Sequence, residues 1–152
     1  MLQLLGFIID CPDPMRLAAF YSDVTGRALI EGSSKDMAVI SFGEVDLAFQ
    51  RVDDYRAPRW PEDEHPKQFH LDFEVDIIAT EQRRVLELGA TLQRDVIGPE
   101  GYGWQVYTDP VGHPSAYAVT RVSRGTTSGL RGRQADYAAQ GCLGVCPSNP
   151  GG

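Results

Sequence analysis

The stretch QFHLDFEVDI, residues 68–77, decides the fold because it repeats the pattern of LLGFIIDCPD, residues 4–13. Each stretch is rich in apolar and β-branched residues, which is typical of a strand. A segment with helical periodicity follows each one, and a glycine, Gly26 or Gly89, ends it. The repeat therefore predicts two units of the same architecture within one chain.

The first unit is predicted to span residues 1–52. Asp13 stands where a helix N-cap belongs, and Pro14 stands at the first helical position. The predicted order is strand, helix and three strands, at residues 4–10, 14–25, 27–31, 37–42 and 45–52.

The second unit is predicted to span residues 68–122 with the same order, at residues 68–75, 77–88, 90–96, 104–109 and 115–122. Residues 53–67 hold three prolines and no periodicity, which indicates a linker loop. Residues 123–152 are rich in Gly, Ser and Arg and are expected to be a disordered tail. The fold class is therefore α+β.

Composition narrows the function classes. The 152 residues carry a net charge of −7, which would repel a nucleic-acid backbone. The apolar N-terminal segment is too short to cross a membrane and is read as a strand, so no membrane association is expected. Three cysteines, an odd number, do not suggest a disulfide scaffold, and a cytoplasmic location is expected.

Three motifs, in this order and spacing, resemble a known superfamily: CPDPMRLAAFYSDVTG (11–26), HLDFEVD (70–76) and YTDPVGHP (107–114). The chain resembles the vicinal-oxygen-chelate superfamily of glyoxalases, bleomycin-resistance proteins and extradiol dioxygenases. FQRVDDYRAPRWPEDEHPKQFHLDF, residues 49–73, is similar to its glyoxalase-like domain branch. The resemblance implies two βαβββ modules that form paired incomplete barrels around a cleft.

In metal-dependent members, four side chains from the first and last strands of the two modules hold a divalent ion. His70 matches one of these positions and Gln50 another. The remaining two fall on Gly6 and at or near Ala116, which offer no ligand atom. His70 and Gln50 are therefore the remaining metal-ligand candidates, and His70 is also a candidate general base.

Two other histidines could supply missing ligands. His65 lies in the acidic loop, where it is either a solvated residue or part of a lid over the cleft. His113 lies in the turn before the last strand, where the alternative is a ring that bonds a backbone carbonyl.

The candidate ligand-binding residues share a position at the cleft or in the loop beside it: Gln50, Trp60, His65, His70, Asp72 and Trp104. Strand alternation places His70, Asp72 and Glu74 on one face, which predicts an acidic wall. Carboxylates and aromatic rings together favour a flat, cationic ligand.

Three functions remain open at this point. The first is binding of a small organic molecule without a cofactor, with an incomplete metal site and no glyoxalase activity of the usual kind. The second is a lyase, isomerase or dioxygenase that depends on a divalent metal ion. The third is a structural or partner-binding domain. A homodimer is expected by resemblance, because open half-barrels expose edge strands.

Overall fold

The computed structural model of the protein describes residues 1–59 and 69–119. They form seven strands and two helices in the order β1 (Gly6–Cys11), α1 (Pro14–Thr25), β2 (Met37–Ser41), β3 (Asp46–Arg51), β4 (Leu71–Glu74), α2 (Ile78–Glu87), β5 (Thr91–Ile97), β6 (Gly103–Thr108) and β7 (Pro114–Val119). The predicted tail and most of the predicted linker lie outside the described residues.

The strands form two open mixed sheets. Sheet A has the order β1-β3-β2, and sheet B has the order β4-β7-β6-β5. In each sheet the first strand of the module pairs in parallel with the last, while the other pairs are antiparallel. The α+β class and the two related modules are therefore confirmed, and within residues 1–59 and 69–119 neither sheet closes into a barrel.

The predicted strand at 27–31 is wrong. Only Leu29 pairs there, through an isolated bridge to Ile40. The chain then turns, since the Ser33 amide donates to the Ile30 carbonyl at 3.3 Å and Gly32 has a φ of 90°. This early turn limits the ladder to one pair of residues, so module one has three strands and a bridge where module two has four strands.

Local sequence signals account for helix α1. The Asp13 side chain accepts a hydrogen bond from the Arg16 amide at 3.1 Å, and Pro14 opens the helix. Gly26 ends it with a φ of 68°, and its amide donates to the Ser22 carbonyl. These are the predicted N-cap, first-turn proline and C-terminal glycine, and all three are confirmed.

One hydrophobic core spans both modules. Tyr21 of α1 is fully buried and stacks on Phe49 of sheet A, with ring centroids 5.3 Å apart. Its ring also lies 6.5 Å from that of Phe73 in sheet B, and Phe73 contacts Tyr117. The two sheets are therefore joined through the side chains that face the helices.

In the part of the chain that the structure describes, neither helix packs on the opposite face of its sheet. In β4, Leu71 and Phe73 pack on the shared core, so Asp72 and Glu74 point the other way. We call this second face of sheet B its helix-free face. Among the described residues, no helix is long and apolar enough to cross a membrane.

Candidate functional site

The helix-free face of sheet B is built from two rows of residues that run across four strands. Strand register places Asp72, Ala116, Val106 and Arg94 in one row, and Glu74, Ala118, Trp104 and Val96 in the next. Neighbouring strands lie about 4.8 Å apart, so two strand spacings, about 10 Å, separate the acidic strand from the Trp104 strand.

The centre of this face is a floor of two alanines, Ala116 and Ala118, which we call the alanine floor. Their methyl groups lie between the carboxylates of β4 and the larger side chains of β6. Ala116 and Val106 are buried and form a small cluster, separate from the main core, on which Trp104 packs. The floor is thus a small apolar surface beside an acidic wall; Ala116 is covered and Ala118 is half-buried.

His70 and Asp72 are brought together at the acidic wall, as predicted. His70 Nε2 lies 3.3 Å from Asp72 Oδ1, and both side chains are mostly buried. An imidazole beside a carboxylate is an arrangement that general acid–base chemistry uses. The role of His70 as a base stays a prediction.

Trp104 stands across the alanine floor from this wall. Its indole Nε1 is buried and makes no hydrogen bond to any residue within the described ranges. A buried N–H without an acceptor costs free energy, which a ligand that accepts from it would offset. Trp104 therefore supplies both an apolar ring and a polar handle to this face.

Gly6, at the first-strand position of module one, has no room for a side chain. A Cβ atom built there would lie 2.4 Å from the Asp46 carbonyl oxygen of the paired strand. Because that atom belongs to the backbone of β3, it cannot swing aside. The close approach of β1 and β3 thus accounts for a glycine at this position.

Gln50 lies on the other sheet, at the exposed end of β3 beside Asp10 and Met37. Within residues 1–59 and 69–119, no three His, Cys, Asp or Glu side chains are grouped so that they could hold a metal ion. The two remaining candidates, Trp60 and His65, lie outside the described residues.

A buried carboxylate that the sequence did not single out organises the turn before β7. Asp109 accepts hydrogen bonds from the Tyr21 hydroxyl at 3.0 Å and from the amides of Val111 and His113 at 3.0 and 2.9 Å. Burial and the nearby Asp109 charge raise the pKa of Tyr21 well above its ordinary value. The sequence pattern places Asp109 at the end of the predicted strand 104–109, directly before the turn, and indicates no role of its own for it.

His113 belongs to the same network. Its Nδ1 lies 2.9 Å from Asp109 Oδ2, and its Nε2 lies 2.9 Å from the Asp10 carbonyl and 3.0 Å from the Tyr55 hydroxyl. The Tyr55 hydroxyl also donates to the Val111 carbonyl at 2.9 Å. The reading of His113 as a turn residue that bonds a backbone carbonyl is confirmed, and both ring nitrogens are engaged.

Comparison with known proteins identifies the family of the chain. A family model described as a glyoxalase-like domain matches residues 6–116. A search of curated proteins gave no match.

Solved structures share the fold. A glyoxalase/bleomycin resistance protein/dioxygenase family enzyme from Burkholderia phytofirmans PsJN is 19% identical with a TM-score of 0.63, covering 78% of this chain and 98% of its own. A glyoxalase-related enzyme from Fulvimarina pelagi is 19% identical with a TM-score of 0.62, covering 80% and 91%. Lactoylglutathione lyase from Agrobacterium tumefaciens is 20% identical with a TM-score of 0.53, covering 78% and 94%.

Proposed function

The chain belongs to the glyoxalase-like domain family, and from that premise we propose that it binds a small, flat, cationic organic molecule on the helix-free face of sheet B. The observation that carries the proposal is the alanine floor between the Asp72 carboxylate and the Trp104 ring. We propose no glyoxalase chemistry of the usual kind for this face.

The helix-free face suits such a ligand in size and charge. The spacing of about 10 Å between the acidic strand and the Trp104 strand matches an aromatic ring system, which would contact the half-buried Ala118. The Trp104 ring offers an apolar contact and an indole N–H donor. Asp72 and Glu74 attract positive charge, and the net charge of −7 favours a cation over an anion.

The residues at the four metal-ligand positions of the family support a metal-free site. Gly6 has no room for a side chain, Ala116 is buried against Val106, and Gln50 offers only a neutral amide. His70 is then the one strong donor among them, and a single imidazole with an amide would hold Zn²⁺ or Fe²⁺ weakly. The set therefore does not fit the metal.

Binding calorimetry with two matched ligands tests the proposal. The 9-aminoacridine cation and neutral acridine share one ring system, so a difference in affinity reports the charge. We expect saturable binding of the cation, weakened about fivefold by Asp72→Asn because one partly buried carboxylate is lost. Trp104→Leu, which removes the aromatic face that the ring system would contact, should also weaken it.

Glu44→Gln is the control, since it removes the same charge from an exposed turn of sheet A. Equal affinity for the two ligands, or binding that Asp72→Asn leaves unchanged, would rule out this site. Metal analysis of the dialysed protein gives a second test. One tightly held transition-metal ion per chain would replace the proposal with a metal-dependent lyase, isomerase or dioxygenase.

We also propose that the molecule acts as a homodimer in the cytoplasm. Strand β1 lies at the edge of sheet A and exposes the apolar side chains of Phe7 and Ile8. An edge of this kind pairs readily with a second chain, which would remove both the free backbone groups and the apolar surface from water.

A further inference from the structure

The turn before β7, residues 109–113, joins both modules and the segment between them. The segment that follows β3, residues 52–59, lies directly on this turn, because a Cβ atom built at Gly112 would be 2.9 Å from the Cβ atom of Ala57. Strand β1 of module one reaches the turn through the Asp10 carbonyl. A group that changes its bonds within this turn therefore acts on both halves of the chain.

The His113 ring has more hydrogen-bond partners than one protonation state can use. Its Nδ1 faces the Asp109 carboxylate, while Nε2 lies 2.9 Å from the Asp10 carbonyl oxygen and 3.0 Å from the Tyr55 hydroxyl. A carbonyl oxygen only accepts hydrogen bonds, whereas a hydroxyl can donate or accept. A protonated Nε2 can therefore donate to the Asp10 carbonyl, and a bare Nε2 can only accept, from Tyr55.

The Tyr55 hydroxyl has a second acceptor, the Val111 carbonyl, at 2.9 Å. Its single hydrogen can be donated to only one of the two acceptors, Val111 or the His113 ring. When Nε2 carries a proton, the hydroxyl donates to the Val111 carbonyl. When Nε2 is bare, the hydroxyl can donate to the ring. The same atoms thus support two hydrogen-bond patterns.

Titratable side chains lie around the ring on every element packed against it: Asp10 and Cys11 on β1, Asp13 and Tyr21 at helix α1, Tyr55 after β3, Asp109 in the turn and Tyr117 on β7. Burial raises the pKa of Cys11 to about 11, that of Tyr117 to about 12 and those of the other two tyrosines well above their ordinary value. The thiol and the hydroxyls therefore hold their protons at neutral pH, whereas an aspartate ordinarily loses its proton at about pH 4. Of the groups that the structure describes here, the imidazole is the type that ordinarily changes charge between about pH 5 and 8.

We propose that His113 is a proton-dependent switch between two contacts of this turn, one with strand β1 and one with the segment after β3. In the protonated state, Nε2–H donates to the Asp10 carbonyl and the Tyr55 hydroxyl donates to the Val111 carbonyl. When the ring gives the Nε2 proton to water, the bond to Asp10 is lost and the Tyr55 hydroxyl donates to Nε2. Nδ1–H donates to Asp109 in both states.

The switch exchanges a direct bond between the two modules for a bond to the segment that connects them. The His113 side chain is 14% exposed, so its ring can exchange a proton with water. None of these groups belongs to the helix-free face of sheet B, and the proposal does not depend on the function proposed for that face.

NMR of the full chain labelled with ¹⁵N-histidine and ¹³C-tyrosine tests the switch. Between about pH 5 and 8, we expect His113 Nδ1 to stay protonated and Nε2 to lose its proton as the pH rises. The Tyr55 ring signals should move with the same midpoint, because the hydroxyl changes its acceptor. Those of Tyr102, in the turn between β5 and β6, should not follow that midpoint. His113→Gln assigns the signals of this ring by removing them.

Tyr55→Phe tests the pattern of the neutral ring. It removes the hydroxyl that donates to the bare Nε2, so the titration midpoint of the His113 ring should move to higher pH. Tyr102→Phe is the matched control and should leave that midpoint unchanged. The wild-type spectra decide the question even if the Tyr55 variant folds poorly.

Four results would overturn the proposal. They are a bare Nδ1 with a protonated Nε2 at high pH, an Nε2 whose protonation does not change, Tyr55 signals that do not follow the ring, and an unchanged midpoint in Tyr55→Phe.

Discussion

At the scale of single residues, the difference between Gly6 and His70 shows how backbone packing controls chemistry. The two positions are related by the internal repeat, yet only His70 has space for a side chain. At Gly6 the neighbouring backbone of β3 occupies that space. The position of module one that corresponds to His70 is thus closed by the sheet itself, and a single substitution would not reopen it.

Gly6→Ala should therefore lower the free energy of unfolding by about 1–3 kcal/mol, because the new methyl group forces β1 and β3 apart. Urea denaturation measures the loss. Gly98→Ala is the matched control, since a Cβ there meets its nearest neighbour, the Tyr102 carbonyl oxygen, at 3.5 Å, an ordinary contact. Equal stability of both variants would contradict the close approach at Gly6.

Cys11 gives a prediction about pH. Burial raises the pKa of this fully buried thiol from 9.0 to about 11, so the folded protein keeps a proton that the unfolded chain loses earlier. Stability from this group is complete below pH 9 and is lost as the pH rises towards 11. Cys11→Ala should flatten the fall in unfolding free energy between these values, measured by urea denaturation at several pH values. An unchanged slope would argue against the shift.

At the scale of elements, Arg84 joins helix α2 to the end of helix α1. Its guanidinium donates to the Asp23 and Val24 carbonyls, which have no partner within their own helix. A positive charge at the C-terminal end of helix α1 also interacts favourably with the helix dipole. One side chain of module two therefore completes a helix of module one.

Arg84→Ala should cost about 2 kcal/mol of stability, since two hydrogen bonds from a charged group are lost at a partly exposed site. Arg83→Ala, at the exposed neighbouring position of the same helix, should cost less than about 0.5 kcal/mol. Thermal and urea unfolding of the two variants measure the difference. Similar losses would mean that the effect comes from helix α2 alone.

Local signals explain which elements the sequence could predict. Asp13, Pro14 and Gly26 act within one turn of chain, and helix α1 begins and ends where they place it. The prediction of a strand at 27–31 was wrong because the chain turns directly after Ile30, which leaves only one bridge. Asp109 escaped notice because its partner Tyr21 lies 88 residues away, and no local pattern encodes such a contact.

The candidate site was predictable only in part, for the same reason. Alternation along β4 placed His70 and Asp72 on one face, and the structure brings them to 3.3 Å. The alanine floor depends on the register between β4, β7 and β6, which sequence periodicity does not give. Trp104 could therefore be named as a candidate but not positioned across from the acidic wall.

At the scale of the whole molecule, the exposed edge of sheet A predicts self-association. Ile8 is 59% exposed on an edge strand. Ile8→Lys should shift a dimer to monomer in light scattering after size-exclusion chromatography, because a charge at an edge opposes pairing. Met15→Lys also replaces an exposed apolar side chain by a charged one, but on helix α1, so it should leave the mass of the dimer unchanged. A wild-type monomer at all concentrations would contradict the prediction.

The shared core and the Arg84 contacts limit how the two halves of this chain can vary. Tyr21 of module one contacts Asp109 and Phe73 of module two. The end of helix α1 is bound by Arg84, which also belongs to module two. An ancestor with one copy of the repeat would have had to borrow these groups from a neighbouring molecule. A chimera that joins either half to a foreign one should fold only when Asp109, Phe73 and Arg84 are transplanted with their partners.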